Sequence, residues 1–277
     1  LLRHTAGFTY SFQEQGNIDA AYRKTDVESW TKNTSQSMID TLAQIPLEFD
    51  PGTQWNYSVA TDIVGILVER ISGLSLPEYF QTHIFTPLGM ADTFFQVPAD
   101  KASRIPDGFG FDPEAKMKLL DKAGPESAWA KGWTFNSGGG GLASSISDYH
   151  RFCRMLLGGG ACDGRRYLSG DAMKFLTTSQ TGDLPTGFFQ NGPLGNLGVN
   201  YGWGLGTCIL RQPHAGVAAM LPPGTYGHGG AWGTQAWIDP VKGVAYVLMV
   251  QRSNFPNSDA SEVRRAFQEA ASKALGK

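Results

Sequence analysis

Hydrophobic positions along the chain fall into two regimes. Up to about residue 180 they recur at three- and four-residue spacings between glycine- and proline-rich loops. In "QSMIDTLAQIPLEF", Met38, Leu42 and Ile45 stand at i, i+4 and i+7. That spacing predicts a short helix with Ser37 and Asp40 near its start and Pro46 at its end. The turn-rich "DPGTQWNYS" follows. Then "ATDIVGILVERISG" puts Ile63, Ile66, Leu67 and Ile71 on one stripe before Gly73, a buried helix with a glycine cap. "LPEYFQTHIFTPLGM" predicts another helix, stopped by Pro87, and residues 91–135 read mostly as loops. "SGGGGLASSISDYHRFCRMLLGGG" is a glycine loop feeding a helix, with Ser147 and Asp148 near its start and the glycine run 158–160 closing it. "GDAMKFLTTSQ" predicts one more helix, and "TGDLPTGFFQNGPLGNLG" a long glycine-rich loop.

After residue 200 strand-like runs take over. "YGWGLGTCIL" predicts one strand. "TYGHGGAWGTQAWIDP" predicts a turn and then a strand, separated by "VKG" from the near-continuous apolar "VAYVLMVQ", a hairpin. "DASEVRRAFQEAASKAL" predicts a closing helix with Asp259 and Glu262 in capping-box positions. Its sheet-facing side is expected to hold Val263, Ala266, Phe267, Ala270, Ala274 and Leu275. The pattern is therefore α+β. A mostly helical domain over 1–180 carries the Tyr57 loop, and 181–277 supplies antiparallel strands and a covering helix.

Composition changes this picture little. The chain has 277 residues and a formal net charge of −2, which invites neither nucleic acid nor an anionic membrane. No run approaches the roughly 20 apolar residues of a membrane span. The opening "LLRHTAGFTY" has no basic n-region or cleavage site, so no signal peptide is expected and a cytoplasmic location is favoured. Cys153, Cys162 and Cys208 are odd in number, match no metal-ligand spacing and read as free thiols. No cofactor is expected: "SGGGG" lacks both the dinucleotide fingerprint and the P-loop lysine.

Four segments carry candidate chemistry: "LLRHTAGFTY", "PGTQWNYSVATDIVG", "NSGGGGLASSISDYHRF" and "YGHGGAWGT". In this order they resemble the serine beta-lactamase-like hydrolases. That family includes class C beta-lactamases, D-alanyl-D-alanine carboxypeptidases and the carboxylesterases of the same fold, the family VIII esterases. The resemblance implies a beta-lactamase/transpeptidase-like fold, an antiparallel sheet flanked by helices beside a mostly helical domain. It implies that Tyr57 is the general base, that His228 stands where the lactamases have lysine, and that the Ala231 amide donates to an oxyanion. Gly229 and Gly230 would let substrate approach the backbone, with Val59 and Trp232 also at the substrate. His4 is expected to fix its loop. Trp133, Phe135, Phe8, Tyr10, Trp203 and Trp232 divide between an acyl pocket and the core.

Two departures refine the expectation. The family's Tyr-x-Asn is Tyr57-Ser58-Val59 here, and histidine replaces lysine in the third box. Both favour an uncharged short-chain ester over a carboxylate-bearing substrate. The family's S-x-x-K also lies well upstream of its leucine-leucine-x-histidine segment, where this chain begins. The expectation is that the N-terminal helix, the first strands and the nucleophile helix belong to a missing segment or a second chain carrying the serine and lysine. Ser29-Trp30-Thr31-Lys32 has the right letters, but among the next residues nothing apolar would desolvate Lys32. It reads as a solvated lead-in to the Met38 helix. The alternatives to a carboxylesterase are a beta-lactamase or D-alanyl-D-alanine carboxypeptidase, and a catalytically silent binding protein of the same fold.

Overall fold

Backbone pairing between two early segments organises the helical part. The carbonyls of His4, Thr5, Gly7 and Thr9 accept from the amides of Asn56, Gly52, Glu48 and Val59 at 2.7–3.2 Å, zipping residues 4–9 onto the loop before the central helix. Gly7 permits this: its φ is +85°, and a Cβ there would stand 2.4 Å from the Phe49 carbonyl oxygen. The computed structural model describes residues 1–13, 16–112, 114, 116–186, 200–213, 220–253 and 262–276.

The helices are α1 (Asn17–Thr25), α2 (Ser35–Leu42), α3 (Ala60–Ser72), α4 (Leu76–Phe80), α5 (Thr86–Leu88), α6 (Ala128–Lys131), α7 (Ile146–Leu157), α8 (Gly170–Thr177) and α9 (Glu262–Ala274). Thr34, rather than Ser37 or Asp40, caps α2, with Ser37 returning the bond. Met38 and Leu42 of α2 join Tyr22, Val27, Val59, Ile63, Ile66 and Phe135 in one buried cluster. Gly73 ends α3 at φ +72°. Only half of the expected α3 stripe is inward, however: Leu67 and Ile71 are 41% and 84% exposed.

The strands are β1 (Gly108–Gly110), β2 (Lys118–Asp121), β3 (Ala161–Cys162), β4 (Arg165–Arg166), β5 (Tyr201–Trp203), β6 (Cys208–Leu210), β7 (Tyr226–Gly229), β8 (Gln235–Asp239), β9 (Val244–Leu248) and β10 (Arg252–Ser253). β5 to β9 form an antiparallel meander in chain order, with β8 and β9 paired Gln235–Leu248 through Asp239–Val244. The alternation of strand side chains divides two cores. Tyr226, Ile238 and Ile209 pack with Cys153, Met155 and Leu156 of α7. Trp237, Tyr246, Leu210 and Tyr201 pack with Phe267 and Ala271 of α9. Phe85 and Leu88 join the α7 core, so that core draws on residues either side of position 180.

Four local expectations need correction. The helix after residue 75 passes Pro87 and stops at Gly89, φ +68°. Residues 81–85 widen into a π turn, where Thr86 donates to Gln81 and Met90 to Phe85, so no bond is asked of the missing proline N–H. "YGWGLGTCIL" folds as two strands, β5 and β6, joined by a turn in which Gly204 donates to Thr207 at 2.9 Å. Residues 91–135, expected mostly as loops, also hold the short β1–β2 hairpin, with β10 running parallel to β1. Finally, α9 turns Arg264, Gln268 and Ser272 fully inward, while Val263 and Leu275 are exposed. Asp259, and residues 187–198 of the expected glycine-rich loop, lie outside the described residues.

Candidate active site

The backbone on both sides of Tyr57 is held by one residue. The His4 carbonyl accepts from Asn56 N–H at 2.9 Å, and His4 Nδ1 accepts from Ser58 N–H at 3.3 Å. This fixes the His4 proton on Nε2. His4 itself has φ +55° and is 1% exposed. Gln13 Nε2 donates to the Tyr57 carbonyl, completing the frame. Burial, then the neighbouring His228 ring, hold the His4 pKa down at about 3, so the ring is neutral at ordinary pH.

The Tyr57 ring is enclosed by aromatics from distant parts of the chain. Centroids lie 4.6 Å away at His4, 5.3 Å at Tyr10, 6.1 Å at Trp203 and 5.6 Å at His228. The last pair is stacked, with 25° between planes. His228 sits near the end of β7, and its Nδ1 donates to the Gly229 carbonyl. A carbonyl can only accept, so His228 carries a proton on Nδ1. Trp203 packs edge-on to both His4 and His228, at 5.1 and 5.4 Å.

Beyond β7 the chain makes a tight turn. Gly230 N–H donates to the Thr234 carbonyl at 2.8 Å, and a Cβ on Gly230 would stand 2.2 Å from Thr234 Oγ1. Ala231 is exposed at the tip of this turn. Trp232 follows, its carbonyl accepting from Arg252 N–H at 2.8 Å and its ring lying against Gly108. Tyr57, His228 and the 229–232 turn are thus brought to one region. Val59 is not part of it: fully buried, it points into the α1–α2–α3 cluster, because as the residue before α3 it faces the helical core.

A third layer was not evident from the motifs. Asp62, in the first turn of α3, accepts from Ser137 Oγ at 2.5 Å and from Gly139 N–H at 3.2 Å. Ser137 Oγ in turn accepts from Gly139 and Gly140 N–H at 3.2 and 3.0 Å. This bonding holds the glycine run 138–141 against α3, where Gly65 and Gly138 approach so closely that a Cβ on Gly138 would meet the Thr61 carbonyl at 2.5 Å. Burial raises the Asp62 pKa, opposed by the Ser137 and Gly139 bonds. A carboxylate just ahead of the apolar run 63–68 was the available signal.

Ser29 and Lys32 stand apart from this arrangement, in turns between α1 and α2. Ser29 Oγ is 3.4 Å from Thr31 Oγ1, and Lys32 Nζ pairs with Asp26 at 2.6 Å. Trp30 ties this segment to a distant one: its carbonyl accepts from the amides of Thr134 and Phe135. Cys153 and Cys162 are free thiols. Among the described residues no group of histidine, cysteine and acidic side chains could hold a metal ion, and no helix is long and apolar enough to cross a membrane.

Comparison with known proteins adds to this geometry. The chain is 31% identical over 268 residues to an uncharacterized protein of Mycobacterium tuberculosis, covering 94% of this chain and 63% of that protein. It is 30% identical over 274 residues to a Salmonella typhi protein named "Putative D-alanyl-D-alanine carboxypeptidase", covering 92% of this chain and 57% of that one. The chain therefore spans about three fifths of the length of these relatives. Its fold is similar to a mutant simvastatin synthase (LovD) from Aspergillus terreus, with TM-score 0.77 at 23% identity, covering 99% of this chain and 65% of that one. It is also similar to EstCE1, a hydrolase with promiscuous acyltransferase activity, with TM-score 0.72 at 21% identity and coverage of 96% and 68%. The family model described as "Beta-lactamase" matches residues 1–271. With that match over nearly the whole length, and the helix-flanked antiparallel sheet beneath it, the chain belongs to the beta-lactamase family.

Proposed function

We propose that the protein is a serine carboxylesterase that cleaves short-chain esters through an acyl-enzyme, with Tyr57 as general base. One observation carries the reading: the stack of Tyr57 on His228, whose Nδ1 donates to the Gly229 carbonyl. An imidazole beside the tyrosine suits an uncharged ester, whereas a lysine there would suit a carboxylate. In the reaction, Tyr57 takes the proton of the attacking serine as the new C–O bond forms. The Ala231 amide donates to the resulting oxyanion. Collapse expels the alcohol, which receives the proton from Tyr57, and water repeats the sequence on the acyl-enzyme.

An isolated tyrosine is only about 0.1% phenolate at pH 7, so a nearby cation is required. We assign that role to a lysine, and nucleophilic attack to a serine, on polypeptide outside residues 1–277. In the single S-x-x-K within them the lysine is exposed and paired with Asp26, away from Tyr57, and the relatives are longer than this chain. In the full-length protein, Tyr57→Phe should lower kcat/KM on p-nitrophenyl butyrate by roughly 100-fold or more. Retained activity in that variant would overturn the reading. A D-alanyl-D-alanine carboxypeptidase is the second reading, favoured by the name of the Salmonella relative. Faster turnover of a D-alanyl-D-alanine peptide than of butyrate esters would establish it instead.

A further inference from the structure

Phe12 is 59% exposed, and a lone exposed apolar side chain ordinarily needs no explanation. Two features set this one apart. The first is its placement. Its ring stacks on Tyr10 at 5.0 Å with 19° between planes, and Tyr10 lies 5.3 Å from Tyr57. Three aromatic rings therefore run outward from the candidate base, and the outermost is open to solvent.

The second feature is how firmly the short turn Ser11–Gln13 is held. Ser11 donates to Glu28 twice, from N–H at 2.5 Å and from Oγ at 2.9 Å. Arg23 donates to the Ser11 carbonyl. Gln13 N–H donates to the Tyr10 carbonyl at 3.2 Å, and the Gln13 side chain to the carbonyl of Tyr57 itself. Both neighbours of Phe12 are thus fixed, one of them directly to Tyr57, and the ring between them faces outward. A clamped, exposed ring stacked on a second ring offers a flat surface at a set distance from the reacting group. Offset-stacked aromatics associate at 4.5–7 Å, the spacing already repeated along this row.

We propose that Phe12 and Tyr10 form a ledge that binds an aromatic ring of the substrate, making aryl-bearing esters the preferred class. The proposal rests on the esterase reading for its reaction, but not for its binding. The test uses the full-length protein and three esters: phenyl butyrate, ethyl phenylacetate and ethyl butyrate. Phe12→Ala should lose roughly 3- to 10-fold in kcat/KM on one or both aryl esters, Phe12→Trp should keep the wild-type value, and ethyl butyrate should stay within about twofold. Loss confined to phenyl butyrate places the ledge on the alcohol side; loss confined to ethyl phenylacetate places it on the acyl side. An equal loss on all three esters, or on none, overturns the ledge and leaves the esterase reading standing. If the protein hydrolyses none of them, that reading falls and fluorescence titration with 2-naphthol decides the ledge. Tighter binding by wild type than by Phe12→Ala sustains it, and equal binding overturns it.

Discussion

The turn holding Ser29 and Lys32 and the turn holding Tyr57 both carry residue types suited to acyl transfer, in opposite settings. Lys32 is 73% exposed and paired with an aspartate that is itself half in solvent. Tyr57 is ringed by His4, Tyr10, Trp203 and His228, and its flanking amides are bonded to a buried residue. Acyl transfer needs its groups held in place beside one another. The first turn leaves its lysine in solvent; the second fixes its tyrosine among packed rings. The largest effects on the molecule should accordingly come from breaking the frame of the second.

His4 is that frame. His4→Ala removes the acceptor for Ser58 N–H, opens space beside three rings and places alanine at a left-handed φ. The expected loss is about 3–5 kcal/mol in urea unfolding, by analogy with other large buried truncations and an orphaned amide. His4→Asn should retain more stability, since asparagine tolerates that φ and carries an acceptor. An unfolding midpoint for His4→Ala equal to that of wild type would remove His4 from its proposed place.

The same residue gives the next effect, a pH dependence. Its folded pKa of about 3 lies below the ordinary histidine value of 6.5. Between those values the unfolded chain binds the proton and the folded one does not, so stability falls as pH falls. The His4 contribution is complete above about pH 6.5 and declines by about 1.4 kcal/mol per pH unit below it. Urea titrations from pH 7 to pH 4 should show a steeper decline in wild type than in His4→Asn. Parallel declines would mean that the ring is not held neutral by burial.

Legibility followed the same division. The helix after Tyr57, its glycine cap and the hairpin of β8 and β9 were readable because local pattern and tertiary role agree. The inward face of α9 was not. Hydropathy put Val263 and Ala266 against the sheet, but Arg264 lies there, its guanidinium 3.9 Å from the Trp237 ring centroid, with Ser272 beside the Tyr246 hydroxyl at 3.1 Å. An arginine stacked on indole can occupy a buried face, which a hydrophobicity pattern scores as solvent. Tyr57 and His228 were legible as motif residues. The enclosure that distinguishes Tyr57 from Ser29 was not, since its rings come from positions 4, 10, 203 and 228.

The smallest effect tests the other half of the comparison. If Ser29 and Lys32 are only a solvated turn, their side chains contribute one exposed ion pair and one long hydroxyl contact. Exposed pairs contribute about 0–1 kcal/mol, and substitution away from packed features is usually within about 0.5 kcal/mol. Ser29→Ala and Lys32→Ala should therefore each shift the urea midpoint barely at all. In the full-length protein, both should leave kcat/KM for p-nitrophenyl butyrate within about twofold of wild type. Trp30→Ala supplies the contrast within the same four residues. Its indole packs edge-on to Trp129 and Trp133 at 6.2 and 5.3 Å and lies against Gly140. That substitution should cost about 3 kcal/mol or more. A loss of activity beyond about 100-fold in Ser29→Ala, with the fold intact, would make this serine a nucleophile and reverse the assignment of the two turns.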